Sequence, residues 1–198
     1  MVNQLYTWLL VSAASTVTTL HKLYLYIFQS NHDSNINNIT LTDRFISMFP
    51  YGLPFFEGLQ NFAPQILPDY PFGMMNIYKK TFMPIVIFYM SNPSIAFGTF
   101  FLLYYFFVRS HSPIPHRAFI SFNALQSILL FLIHSLLGAI FRAFPIEFRT
   151  SIYGLTLCNT LLWFVIFTTI YSIIYSIAGK YSHIPIVSQA AKIHIDTD

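Results

Sequence analysis

The chain has 198 residues, 55% of them apolar, 19% aromatic and 9% charged, whereas a soluble domain carries about 25% charged residues. That composition excludes an ordinary water-soluble globular protein and places the chain in lipid. The formal charge of +3 does not point to nucleic acid, because the basic residues are scattered and only Lys79 and Lys80 are adjacent, which leaves no basic patch.

Residues 1 to 28 read as an N-terminal interfacial amphipathic helix, with Tyr6, Trp8, Tyr24 and Tyr26 suited to headgroup level. A further span over the uncharged run Met1 to His21 is the alternative. The first 30 residues hold one lysine, no arginine and no acid, which fits neither an Arg-rich transit peptide nor a secretory signal; a chain working in an organelle is then expected to be made there. Gln29 to Arg44 is Asn-rich and polar, a solvated linker that closes a first segment at residue 44.

Residues 45–179 are expected to form a four-span membrane domain. The first predicted span, Phe45 to Leu67, contains Pro54, Pro64, Gln60, Asn61 and Glu57, and a surface-lying helix with Glu57 in water is the alternative. An acid inside a span normally faces protein or water, so Glu57 should point inward. Three uncharged runs follow, Thr81 to Val108, Ala118 to Phe141 and Thr150 to Gly179, each longer than the roughly 20 residues a spanning helix needs. Proline disfavours helix in the residue before it, so the second span should run from Ser94 to Val108 and either tilt little or borrow residues before Pro93 across a kink.

The third span, Ala118 to Ile140, carries the clearest pattern. At about 100° per residue, Asn123, Gln126, Ser127, His134 and Gly138 share one sector, opposite Leu125, Ile128, Leu132 and Leu136. Two readings of this polar stripe stay open: the lining of a pore or substrate path, and an interhelical hydrogen-bond seam. In the fourth span, Ser151 to Ala178, the residues Gly154, Cys158, Thr168, Thr169, Ser172, Ser176 and Gly179 share one side, a small-residue pattern that lets helix backbones approach closely. Residues 180–198 form a C-terminal tail.

Four spans place both termini on one side, with Lys22, Arg44, Arg109, Arg117, Lys180 and Lys192 there against Lys79, Lys80, Arg142 and Arg149 on the other. The positive-inside bias turns the termini and the Arg109 to Arg117 loop toward the synthesising compartment. No nucleophile elbow, HExxH helix or phosphate-cradling loop occurs, so no enzyme activity, catalytic residue or cofactor is expected. His111 and His116 lack a third ligand, and no metal site is expected.

Four stretches, in order, resemble a known family. Pro54-Phe55-Phe56-Glu57-Gly58-Leu59, Phe100 to Arg109, Phe122-Asn123-Ala124-Leu125-Gln126 and Ile184-Pro185-Ile186-Val187-Ser188-Gln189-Ala190-Ala191 are similar to the motifs of the small four-span core subunit of the inner chloroplast envelope protein translocon, the Tic-twenty family, of a plastid-encoded algal type. Ser121 and Phe131 stand where that family usually has an arginine and an acid. The resemblance implies protein import into the plastid, an inner-envelope location with termini in the stroma, and partners among translocon subunits and precursor proteins in transit. A cyanobacterial plasma-membrane relative is the alternative.

On this reading the polar face of the third span together with Glu57 forms a hydrated or protein-packed seam along which an unfolded precursor passes. Two rival readings are a translocon scaffold that lines nothing, and a small-solute transporter with Glu57 and His134 as a proton-coupling pair.

Overall fold

The computed structural model describes residues 39–70, 73–109 and 118–196, and every regular element among them is helical. The expected interfacial helix and most of the polar linker lie outside the described residues, as does the loop 110–117 with Arg117, His111 and His116.

Helix α1 (Leu41–Met48) opens on a capping box, the Thr40 amide donating to Asp43 at 3.0 Å and the Asp43 amide donating back to the Thr40 hydroxyl at 3.3 Å, so its first donors are satisfied without neighbours. Its faces are inverted relative to a soluble helix: Asp43 and Ser47 are buried, while Leu41 and Phe45 are exposed. A 3₁₀ turn, Phe49–Tyr51, leads into α2 (Gly52–Ile66).

A second 3₁₀ turn (Leu67–Asp69) and α3 (Met74–Thr81) follow, then α4 (Met83–Ser91) and α5 (Pro93–Leu103). α4 and α5 meet at an angle of 90°. Pro93 keeps Asn92 out of the helical region, and Asn92 sits at φ −130°, ψ 72°, its amide side chain capping the Phe88 carbonyl at 2.9 Å. The kink expected at Pro93 is therefore present. α5 ends in a π turn, Tyr104–Val108, closed by the Arg109 amide on the Tyr104 carbonyl at 3.0 Å.

Helices α6 (Ala118–Ala143) and α8 (Ile152–Ile177) have 26 residues each, about 39 Å of helix against a hydrocarbon core of about 30 Å. They are long and apolar enough to cross a membrane, and the bent α4–α5 pair makes a third crossing if counted as one span. Among the described residues, length and composition therefore support two or three spans, and the expected count of four is not reached. The shortfall is α2, at the place of the first predicted span, which has only 15 residues.

α2 is short because protein screens it from its surroundings. α6 and α8 barely touch each other directly, and α2 lies between them. It starts beside Asn123 and finishes beside Arg149, where Gln65 donates to the Arg149 carbonyl at 2.7 Å. Two glycines allow this approach: a Cβ on Gly58 would lie 2.3 Å from a Val165 methyl, and one on Gly138 2.4 Å from the Asn61 side chain. Around them Leu59, Phe62, Phe141, Cys158, Leu162 and Val165 form the main apolar core.

The wheel of α6 placed Ile128 on the lipid side, but it is buried with Ala124 under Val108 of the π turn, because the second arm covers that flank. Leu132 and Leu136 do stay exposed. A short helix, α7 (Ile146–Thr150), turns the chain into α8, which ends at Ile177 and is closed by Ala178 and Gly179. There φ is +70° and the Lys180 amide reaches the Tyr175 carbonyl at 2.9 Å, a left-handed cap. The Arg44 guanidinium of α1 lies against that glycine, a cation at the negative end of a long helix.

The described part of the tail packs back on the helices. It enters α9 (Val187–Asp196) through Ile186 at φ +70° and packs Val187 against Leu130 and Tyr51. Gly58→Leu is expected to destabilise the fold by about 1–3 kcal/mol through overpacking, with part of the loss recovered by adding Val165→Ala. Gly98→Ala, where a Cβ meets nothing within 4 Å, should be neutral or better; thermal unfolding in detergent micelles reads all three.

Candidate functional site

The predicted polar stripe of α6 is present and fully buried: Asn123, Gln126, Ser127 and His134 each have 0% exposure. In an apolar surrounding every such group needs a partner, and their partners come from the same chain. The Tyr51 hydroxyl shares its proton between Asn123 Oδ1 at 2.9 Å and Gln126 Oε1 at 3.2 Å. The Ser176 hydroxyl of α8 donates to Asn123 Oδ1 at 2.8 Å, and Asn123 Nδ2 donates to the Phe119 carbonyl at 2.7 Å.

Gln126 extends this cluster into the tail. Its Oε1 accepts from the Ser182 hydroxyl at 2.8 Å, and its Nε2 donates to Ser188 Oγ at 3.1 Å. Ser188 in turn accepts the Ile184 amide at 2.6 Å and donates to the Ser182 carbonyl at 2.9 Å. One amide side chain on α6 thereby ties the start of α2 to the C-terminal tail. Ser127 returns its hydroxyl to the Ala124 carbonyl of its own helix at 2.8 Å.

A second cluster surrounds Glu57, which is buried as its place in a span required. Tyr89 of α4 donates to its Oε2 at 3.0 Å and Asn61 Nδ2 to its Oε1 at 3.1 Å. Asn61 Oδ1 accepts from the Arg142 guanidinium at the end of α6, so the acid is linked to a cation through one amide. His134 Nδ1 lies 3.0 Å from the Pro54 carbonyl; a carbonyl only accepts, so Nδ1 carries the proton. His134 Nε2 has no partner among the described residues, and the ring meets the edge of Phe164 at 5.7 Å between centroids. The Glu57 carboxylate and the His134 ring do not bond each other, and Asn61 Nδ2 spans the two residues, reaching the His134 carbonyl at 3.5 Å as well as Glu57.

The remaining predicted residues have local roles. Ser172 bonds the Thr168 carbonyl of its own helix at 2.8 Å. Gly154 serves the α7–α8 turn, since a Cβ there would lie 2.1 Å from the Phe148 carbonyl oxygen. Arg109 is exposed with its guanidinium 5.5 Å from the Tyr105 ring centre. Phe131 packs in an apolar cluster with Leu53, Tyr89 and Ala96. Sequence reasoning gave no site role to Tyr51, Asn61, Tyr89, Ser182 and Ser188, although Asn61 counted among the polar residues of the first span and Ser188 lay inside a singled-out motif.

Fold and site together define a helical membrane protein whose buried polar side chains join its own helices, with the four singled-out stretches meeting around α6. A family model described as "Chloroplast import apparatus Tic20-like" matches residues 12–191. The "Tic20 family protein Ycf60" of Gracilaria tenuistipitata var. liui is 63% identical over 177 residues, 89% of this chain and 87% of that one. The protein of the same name from Porphyra purpurea is 50% identical over the same shares. A "Tic20 family protein" from Synechocystis is 32% identical over 151 residues, 75% of this chain and 90% of that one. The chain belongs to the Tic20 family.

Gln126→Leu removes three hydrogen bonds and leaves Ser182 and Ser188 short of a partner, with an expected cost of about 1–3 kcal/mol. The expected readout is faster amide hydrogen exchange across residues 182–192, with exchange in the middle of α8 little changed. Equal acceleration everywhere would show that Gln126 supports the whole fold and not the tail in particular.

Proposed function

We propose that this protein is a non-enzymatic membrane subunit of the plastid protein-import machinery, seated in the inner envelope with its termini in the stroma. Its membership of the Tic20 family supports the import role, and the higher identity to the Gracilaria and Porphyra relatives than to the cyanobacterial one favours the plastid. In this reading α2 completes a four-span domain as an internal helix, crossing between α6 and α8 with little lipid contact of its own.

The observation that carries the mechanism is the inward direction of the α6 stripe. Asn123, Gln126 and Ser127 are engaged within the chain, so a single copy encloses no polar channel along them. The surfaces left for other molecules are the outer faces, with Leu132 and Leu136 on α6 and Phe167 and Ile174 on α8 exposed. The subunit then contributes one wall of a precursor path shared with neighbouring import subunits, and the buried seam keeps that wall rigid.

Photocrosslinkers placed at 132, 136, 167 and 174 in organelles arrested during import test this. Adducts with import subunits or with the arrested precursor are expected from one of the two outer faces, and none from positions 123 or 127. Precursor adducts from 123 and 127 would show that the stripe opens in the assembly and overturn the mechanism. Lipid adducts alone from every position would overturn the import role.

A further inference from the structure

Between α2, α3 and α8 lies a cavity of about 450 Å³, within the range of about 300–1,000 Å³ typical of ligand pockets. Its walls include Gly52, Leu59, Ile166 and Ile170, all apolar, with the rings of Tyr51 and Tyr78, together with Thr169. Thr169 is 1% exposed and its hydroxyl has no partner among the described residues. Other threonines of α8 behave differently: Thr156, Thr160 and Thr168 each return the hydroxyl to the carbonyl four residues back, at 2.7 to 2.9 Å.

Those two observations narrow the occupant. Water is a poor one, because a buried water needs two to four polar partners, while the lining surface is almost wholly apolar and the Tyr51 hydroxyl is already given to Asn123 and Gln126. A dry void forfeits dispersion contacts along its whole wall. What fits is hydrocarbon carrying one hydrogen-bond acceptor. Its source is set by the surroundings: Ile77 and Ile170 at the lining are 60% and 47% exposed, and the same side of α8 continues into exposed Phe167 and Ile174. α8 is long and apolar enough to span, so the cavity adjoins the surface that a bilayer covers.

We infer that this cavity is a resident-lipid site, seating one acyl chain of a bilayer phospholipid whose ester carbonyl accepts the Thr169 hydroxyl. Thr169 stands eight residues before the end of α8, about 12 Å of helix, and the helix exceeds the hydrocarbon core by about 9 Å. Projection of that excess at the C-terminal end brings Thr169 to within a few ångströms of ester level. The bound chain fills the gap between α3 and α8, where protein atoms leave the interior unpacked. The site is independent of the import reading.

The test uses the full chain in phosphatidylcholine vesicles containing a trace of phosphatidylcholine with a diazirine near the ester end of one acyl chain. Photolysis and peptide mapping should place labels on 74–82 and 166–173 well above those on the outer face of α6 at 132–140. Gly52→Leu fills the cavity from inside; Gly52 has φ −58° and a Cβ there meets only Phe56 at 3.9 Å, so the backbone accepts it. Labels on both walls should fall to the 132–140 level while helicity is kept.

Thr169→Val removes one neutral hydrogen bond and should lower labelling about fivefold with the ester lipid, leaving an ether-linked analogue unaffected. Uniform labelling of the unaltered chain, or wall labels unchanged in both variants, overturns the site. Loss in Gly52→Leu without any ester preference in Thr169→Val overturns the role given to the hydroxyl.

Discussion

Everything in this structure depends on how α6 satisfies two amide side chains where no water reaches them. An unpaired buried amide is costly, so Asn123 and Gln126 must find donors and acceptors within the chain. They draw them from Tyr51 ahead of α2, from Ser176 on α8 and from Ser182 and Ser188 of the tail. Segments far apart in sequence are thereby fixed to one helix. Apolar contacts alone discriminate weakly between helix pairings in lipid, since the competing solvent is equally apolar; the amide cluster supplies the register that packing does not.

A helix as short as α2 becomes intelligible in that setting. Wedged between α6 and α8 by Gly58 and Gly138, it faces protein on both sides and needs neither the length nor the apolarity of a lipid-facing span. Its acid is accommodated in the same way, with donors from Asn61 and Tyr89 on the two carboxylate oxygens. The bond from Tyr89 also anchors the α4 arm close to its 90° bend, so the carboxylate fixes where the broken pair leans on the bundle.

Much of the plan was legible from periodicity and proline. The one-sided polar face of α6, the small-residue side of α8 and the break at Pro93 all follow from local rules, and each is present. Partners were not legible. A helical wheel gives the direction of Asn123 but not what stands opposite, so it could not separate a path lining from a seam, nor foresee that Val108 would cover Ile128. The tail read as a simple extension because docking through Ser188 becomes visible only once Gln126 is in place. Gly58 lay inside a singled-out motif, yet its use depends on Val165, more than a hundred residues away.

The central claim is that the polar face of α6 is sealed by the chain's own helices. Ser127 and Ser172 suit a direct test, since both are fully buried and each donates its hydroxyl to a carbonyl of its own helix, so cysteine there leaves the bonds of Asn123 and Gln126 in place. In a Cys158→Ser background in membranes, a water-soluble maleimide should leave Ser127→Cys and Ser172→Cys unmodified until the protein is unfolded, while the exposed control Lys180→Cys reacts at once. Modification of the two buried positions at the rate of the control would contradict the account.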